Sequence, residues 1–361
     1  MILATVVAVS VPLLFLYLVR WLDLYASGSF RAVVICLLWG VTAFILAFQA
    51  NTFALRFVGF GLLVTLVAPI IEEILKSLIL TYYVRRPDFT YFVDGAIYGF
   101  AAGTAFAVLE NLLYLGRVGS EAGLLVALSR AFSTSLMHGS ASALVGVSLG
   151  RLRFGRGFTR IVSVLLGWAA AMALHITFNN VINRSPGLLT LLLAVGIGLG
   201  GVGLTAAFIF WGLREERRWL RETLGLQVGV SAGESAVVQQ LDNLNPLLSP
   251  IDERFGADKR KQVETFLRLQ AQLGLKRKVQ EMTPDPKLRA EMGAQVTALR
   301  QEIDIVRRDL GLYCMAYVRS ILPPETEPIW AHLGRTLETK ETSSARSVWS
   351  TLGDKIEEGG R

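Results

Sequence analysis

Glu72, Glu73 and Lys76 sit inside an otherwise apolar run, Ala68-Pro69-Ile70-Ile71-Glu72-Glu73-Ile74-Leu75-Lys76-Ser77-Leu78. On a helix Glu72 and Lys76 share a face, while Glu73 lies about 100° around from Glu72 and three residues from Lys76. Two neighbouring carboxylates in an apolar setting divide acid–base work, one holding a proton while the other accepts one. Lys76 is the only lysine in the first 212 residues, and its place on the Glu72 face should keep that carboxylate ionised. Further along, Glu110, His138 and His175 also fall inside apolar stretches, and Asn179 stands four residues after His175 on the same helical face. Hydrolysis needs an activated water, a general acid and donors for an oxyanion, and this set contains groups for each task. Two Glu and two His could instead ligate zinc, which takes such ligands in a tetrahedral site. No HExxH motif is present, so the residues alone leave glutamate-type and metal-dependent chemistry both open.

These groups need a scaffold, and the scaffold is a membrane. Residues 1–212 hold 13 Lys+Arg and 7 Asp+Glu, whereas residues 213–361 hold 23 and 22, so the chain has an apolar half and an ordinary soluble half. Seven apolar stretches are long enough to cross as helix: Ile2–Val19, Ala32–Ala50, Phe57–Tyr83, Phe92–Leu115, Gly123–Gly150, Phe158–Val181 and Leu188–Leu213. The first lacks a basic leader and is long for a signal peptide, so it reads as a span. Twelve arginines, from Arg20 to Arg221, flank one side of this arrangement, and only Arg56, Arg117 and Arg184 the other. The positive-inside rule then puts the N-terminus outside the cell and the C-terminal half in the cytoplasm. The expected fold class is all-α: a polytopic bundle of about seven spans over residues 1–212, with a soluble helical domain behind it.

Depth allows the polar groups to meet. Counting about 1.5 Å per residue from the external end puts Glu72 and His138 about 22 Å in, and Glu110 and His175 about 8–9 Å in. One cavity opening outward would hold them all. Five ionisable side chains at depth (these carboxylates, Lys76 and Arg130) would cost roughly 2.5–3.5 kcal/mol each if unpaired near the bilayer centre. Such a sum, about 12–17 kcal/mol, rivals the stability of a whole domain, so they must find partners. Pro69, a turn before Glu72, should bend its helix and free a carbonyl. Bland readings stand beside these: an ion pair that only locks helices, histidines that only bridge helices, and Arg130 as a structural counter-ion for Glu110 or Glu73. Phe106, Tyr98 and Tyr114 read as packing residues, and Gly99, Gly103, Gly139 and Gly146 as points where helices approach closely.

At these positions the chain resembles the PrsW family of bacterial intramembrane proteases, within the wider group that includes CAAX prenyl endopeptidases. The matching stretches are EExxK at Glu72–Lys76, the Asp94-Gly95-Ala96-Ile97-Tyr98-Gly99-Phe100 opening, and FxxxEN from Phe106 to Asn111, followed by Tyr114. Arg130, His138 and the small-residue run to Gly146 come next, and HxxxN from His175 to Asn179 comes last. Ala105 stands where glycine is expected, and prenyl endopeptidases carry His where this chain has Glu110. The resemblance covers roughly residues 57–212 and implies hydrolysis of membrane-anchored protein substrates, with a single-span anti-sigma factor as the family's substrate. It also implies Glu72 as general base, Glu73 and Lys76 setting its charge, and His175 and Asn179 holding the water or the oxyanion. Two other classes compete with it: a non-catalytic membrane scaffold of the same fold, and a proton-coupled transporter, for which the sequence offers no inverted repeat.

The second half reads as a linker over 213–250, a cytoplasmic helical domain over 251–322 and a polar tail over 323–361. Two amphipathic helices, Arg254–Val279 and Pro286–Ile321, flank a Thr283-Pro284-Asp285-Pro286 break. Met292, Val296, Leu299, Ile303, Val306, Leu310 and Tyr313 recur as one buried face of the second. The tail would add a short helix around Ile329–Leu337. Near-neutral charge argues against nucleic acid, and this domain is expected to dock a regulator or a second copy of the chain. The only cysteines, Cys36 and Cys314, lie in different halves and offer no disulfide framework.

Overall fold

The computed structural model describes residues 1–23, 25, 28–117, 122–154, 158–183, 187–224 and 244–321, and among these every regular element is a helix. Helices α1 (Ile2–Trp21) and α2 (Phe30–Ala54) are apolar on all sides, as lipid-facing helices must be. The third segment opens with one helical turn, Phe60–Leu62, passes through a π-helical stretch, Leu63–Val67, and becomes α3, Ala68–Tyr83. Next come α4 (Phe92–Leu115), α5 (Gly123–Phe132), α6 (Thr134–Leu152), α7 (Phe158–Ile182) and α8 (Leu188–Leu224). The end where α1 starts is the upper end below; the end where it stops is the lower.

Among the described residues five helices are long and apolar enough to cross a bilayer: α1, α2, α4, and the greater parts of α7 and α8. The chain is therefore a multi-pass membrane protein. The two other expected spans are α3, with its charges, and the α5–α6 pair, which is interrupted at Ser133 (φ −121°, ψ −76°) rather than continuous. The interruption has a packing reason: α5 lies against α1, whereas α6 lies along α4.

Helix α4 is the axis of the bundle. Its most apolar window is 89% buried, against 28–33% in the other four spanning helices. Small residues allow that burial. Gly95, Gly99 and Gly103 back directly onto Gly146, Ser142 and His138 of the antiparallel α6, so close that any Cβ there would collide with the facing backbone. This ribbon sets the backbone of His138 against Gly103, two turns below Glu110 on α4.

At the lower end α8 does not stop at Leu213 but continues to Leu224, so the first part of the expected linker is helix. Its middle, 225–243, lies outside the described residues, as do the tail beyond 321 and its expected short helix. Helices α9 (Asn245–Phe255) and α10 (Ala257–Met282) meet at Gly256, whose φ of +83° is open to glycine and strained for other residues. Asp285 caps α11 (Pro286–Leu310) by accepting from the Lys287 and Leu288 amides at 2.9 and 3.4 Å, which accounts for the break before it. A second glycine, Gly311 at φ +79°, separates α11 from α12 (Leu312–Ile321). That break corrects the single-helix expectation: Met292, Val296, Ile303 and Leu310 are buried, but Tyr313 beyond it is 66% exposed.

Candidate active site

Four helices converge on one polar cluster. Lys76 Nζ donates to Glu73 Oε1 at 2.6 Å and to His138 Nδ1 at 2.8 Å, and the ammonium lies 4.9 Å above the Phe106 ring. Its lone acceptor engaged, His138 turns Nε2–H to Glu110 Oε2, 3.1 Å away. On the other side His175 Nδ1–H donates to Glu73 Oε1 at 2.8 Å, leaving its Nε2 facing Glu72 Oε2 at 3.8 Å. The two imidazoles stand edge to face, 4.6 Å apart. Arg130 Nη2 reaches Glu110 at 2.9 Å, its guanidinium 3.8 Å over Tyr114, and its Nε donates to Asn111 Oδ1 at 2.9 Å. Asn111 donates in turn to Ser135 Oγ at 2.8 Å, tying α4 to α6.

Burial sorts these groups by access. Glu73, Lys76, His138 and His175 are sealed, whereas the side chains of Glu72 and Glu110 keep 13% and 23% of their surface open. Only Glu72 and Glu110 in this set therefore keep surface outside the cluster, and the sealed residues hold them. Six expected site residues come together: Glu72, Glu73, Lys76, Glu110, His138 and His175.

Two expectations are corrected. Lys76 pairs with Glu73, not with Glu72. Glu72 points about 100° around the helix toward α2, where Asn51 Nδ2 donates to it at 3.1 Å. Asn179 has no hydrogen bond to the cluster among the described residues; its amide donates at 2.9 Å to the Val64 carbonyl of the π-helical stretch. The Asp94…Tyr98 motif also lies elsewhere. Asp94 Oδ2 accepts from the Thr90 amide at 2.6 Å and Tyr98 Oη from the Ser29 amide at 2.9 Å, which fastens the lower end of α4 about 24 Å from Glu110. Arg130 as counter-ion of Glu110 is as expected.

Other participants carried no charge and gave no sequence signal of their own. Asn51 is one. Trp39 Nε1 donates to the Leu75 carbonyl at 2.9 Å, and Trp168 Nε1 to Ser77 Oγ at 2.8 Å, so α2 and α7 grip α3 from both sides.

The donor set fits a divalent cation. Glu72, His138 and His175 each bring one ligand atom, all within 4.8 Å of one another, and His138 would ligate through Nε2 by moving the proton it shows to Glu110 onto Nδ1. Glu73 on the far nitrogen of His175 is the carboxylate–histidine arrangement that orients a metal-binding imidazole. Glu73 Oε2 and Asn51 Oδ1 are buried without a hydrogen-bond partner among the described residues, as polar atoms beside an ion or water would be.

The described residues thus form a multi-pass helical bundle around a largely buried Glu/His/Lys cluster. Residues 28–212 match the model of the PrsW family intramembrane metalloproteases, and the chain belongs to that family. It is 30% identical over 142 residues to Protease PrsW of Bacillus subtilis (strain 168), a stretch covering 38% of this chain and 62% of that protein. Over 138 residues it is 27% identical to Protease PrsW of Clostridioides difficile (strain 630), covering 38% and 56%. The chain thus spans less than two thirds of the length of these curated relatives. No solved structure matches it.

Proposed function

We propose that this protein is an intramembrane endopeptidase that hydrolyses membrane-anchored protein substrates. The observation that carries the reading is the division of one cluster into two reachable carboxylates, Glu72 and Glu110, and a sealed set that holds them. A scaffold would need the ion pairs but not two carboxylates left partly exposed. Glu72, His138 and His175 would hold a divalent cation, zinc by donor type. When bound it would supply an activated water and polarise the scissile carbonyl. Glu73 and Lys76 fix the two imidazoles. Glu110, held through Oε2 by Arg130, keeps Oε1 for the proton of the attacking water and returns it to the leaving amine. A second reading keeps the role first assigned to Glu72: in protein free of metal this carboxylate, paired with no arginine or lysine among the described residues, is itself the base. Helices α2, α3 and α7 keep bulk water from the buried side.

Family resemblance extends the proposal to a single-span anti-sigma factor as substrate. The arginine bias places the N-terminus outside and the C-terminal helices in the cytoplasm. The test uses purified protein in detergent with a single-span reporter substrate. Glu72→Gln is expected to fold and to lose about 100-fold or more in cleavage rate. Chelation should abolish cleavage, added zinc should restore it, and metal content should fall in His175→Ala. Cleavage by Glu72→Gln at the wild-type rate would sink the enzymatic reading of this cluster. Full activity without stoichiometric metal would select Glu72 as the base.

A further inference from the structure

Pro69 has no N–H, so the carbonyls four and five residues before it, Thr65 and Val64, lose the donor that any other residue would supply. This is the point where the third segment changes from π to α winding, the Ala68 amide still bonding to Leu63 O. Two amides from α7 arrive at those carbonyls. Asn179 Nδ2 donates to Val64 O at 2.9 Å, and Asn180 Nδ2 to Thr65 O at 3.2 Å. Asn180 spends its other N–H on Ile176 O at 2.8 Å, within its own helix. Both side chains are half-buried.

We propose that Asn179 and Asn180 are positioning residues that replace the donor missing at Pro69 and so hold the glutamates of α3 in register with His175 of α7. Spacing supports this. Glu73 lies four residues after Pro69, and Asn179 four residues after His175, on helices that run antiparallel. The staple and the Glu73–His175 hydrogen bond therefore join the same two helices about one turn apart, and one fixes the height of the other. Side-chain donors from α7 can do this without straightening the helix, whereas a backbone N–H at position 69 would satisfy a carbonyl from within α3 and remove that tie to α7. The role also accounts for an Asn-Asn pair in which both amides donate to carbonyls of the π-helical stretch.

The inference rests on the proposed hydrolysis for one of its two tests only. In the first, Asn180→Leu and the Asn179→Leu, Asn180→Leu double variant are assayed for cleavage. About tenfold and 100-fold losses in kcat are expected with KM unchanged, because the variants displace the reacting groups relative to one another. Adding Pro69→Ala to the double variant should recover at least tenfold. In the second, the same variants are melted in detergent with no substrate. Asn180→Leu should lower the midpoint in the Pro69 background and much less in the Pro69→Ala background. Additive midpoints, or no recovery by Pro69→Ala in an active enzyme, overturn the inference. A wild-type protein that cuts nothing overturns the proposed function instead, and the melting cycle then decides this one.

Discussion

Lys76 is the residue on which the cluster turns. Its ammonium is fully buried and gives one hydrogen to Glu73 and one to His138, so it sets both the charge of a sealed carboxylate and the orientation of an imidazole. Removing one partner of a buried pair costs about 3–5 kcal/mol because the other charge is left uncompensated. Lys76→Met is therefore expected to lower the thermal midpoint sharply in detergent and to abolish cleavage. Adding Glu73→Gln, which removes the stranded charge, should recover much of the midpoint but not the activity. A single variant that melts like wild type would show that the pair contributes little. Sequence exposes residues of this kind well: an ionisable group at bilayer depth is conspicuous, and Glu72, Glu73, Lys76, Glu110, His138 and His175 were all readable. Pairing was harder to read. Spacing of four joined Lys76 to Glu72, yet the interior side chosen by Lys76, against Phe106 and His138, belongs to Glu73. Neutral amides carry less signal still: nothing in the sequence marks Asn51 beside Glu72, and spacing does not show that Asn179 donates to the Val64 carbonyl.

Elements bring these residues together through backbone contact more than through side-chain bulk. Helices α4 and α6 touch at Gly95 and Gly146, where a Cβ on either would overlap the other's carbonyl. Four residues per step along this ribbon lead from that contact to His138. Gly146→Leu should therefore push α6 away and cost at least the 1–3 kcal/mol typical of overpacking, lowering the melting midpoint and detaching His138 from Glu110. Gly196 on α8 is the internal control: nothing lies within 4 Å of its added Cβ, and Gly196→Ala should be neutral or gain up to about 1 kcal/mol of helix propensity. Equal midpoints for the two variants would refute the ribbon. Hydropathy marked the spans and small residues marked close approach, but neither could place the break at Ser133 or the π-helical Leu63–Val67. Such irregular backbone is set by what lies across from it. Here that is the α1 partner of α5 and the two asparagines of α7.

At the scale of the whole molecule the C-terminal helices are joined to the membrane bundle instead of standing apart from it. One apolar core runs from α4 and α6 through Trp219 and Leu220 of α8 to Phe266, Leu267 and Val279 of α10. Polar contacts sit at its rim. Gln272 donates to the Tyr25 carbonyl at 3.3 Å, Gln295 to Asp88 Oδ1 at 2.6 Å, and Arg153 to Met292 Sδ at 3.2 Å while also holding the Arg86 carbonyl at 2.9 Å. The amphipathic pattern announced a buried face on these helices but not what it would cover, and the bundle's own lower loops occupy much of it. A chain truncated after Leu224 would expose that core to water. Burial is worth about 25 cal/mol per Å² of apolar surface, so the loss of several large side chains is expected to cost several kcal/mol. Lower yield and a lower melting midpoint should follow, whereas the cluster around Glu72, at the opposite half of the bundle, keeps its contacts in the molecules that remain folded. Cleavage per folded molecule should then stay within about tenfold of the full chain, roughly 1.4 kcal/mol in barrier. A truncated chain as stable as the full one would mean that the interface carries no weight. A well-folded but inactive one would mean that α10 and α11 act on the site through the loop between α3 and α4, which Arg153 and Gln295 hold.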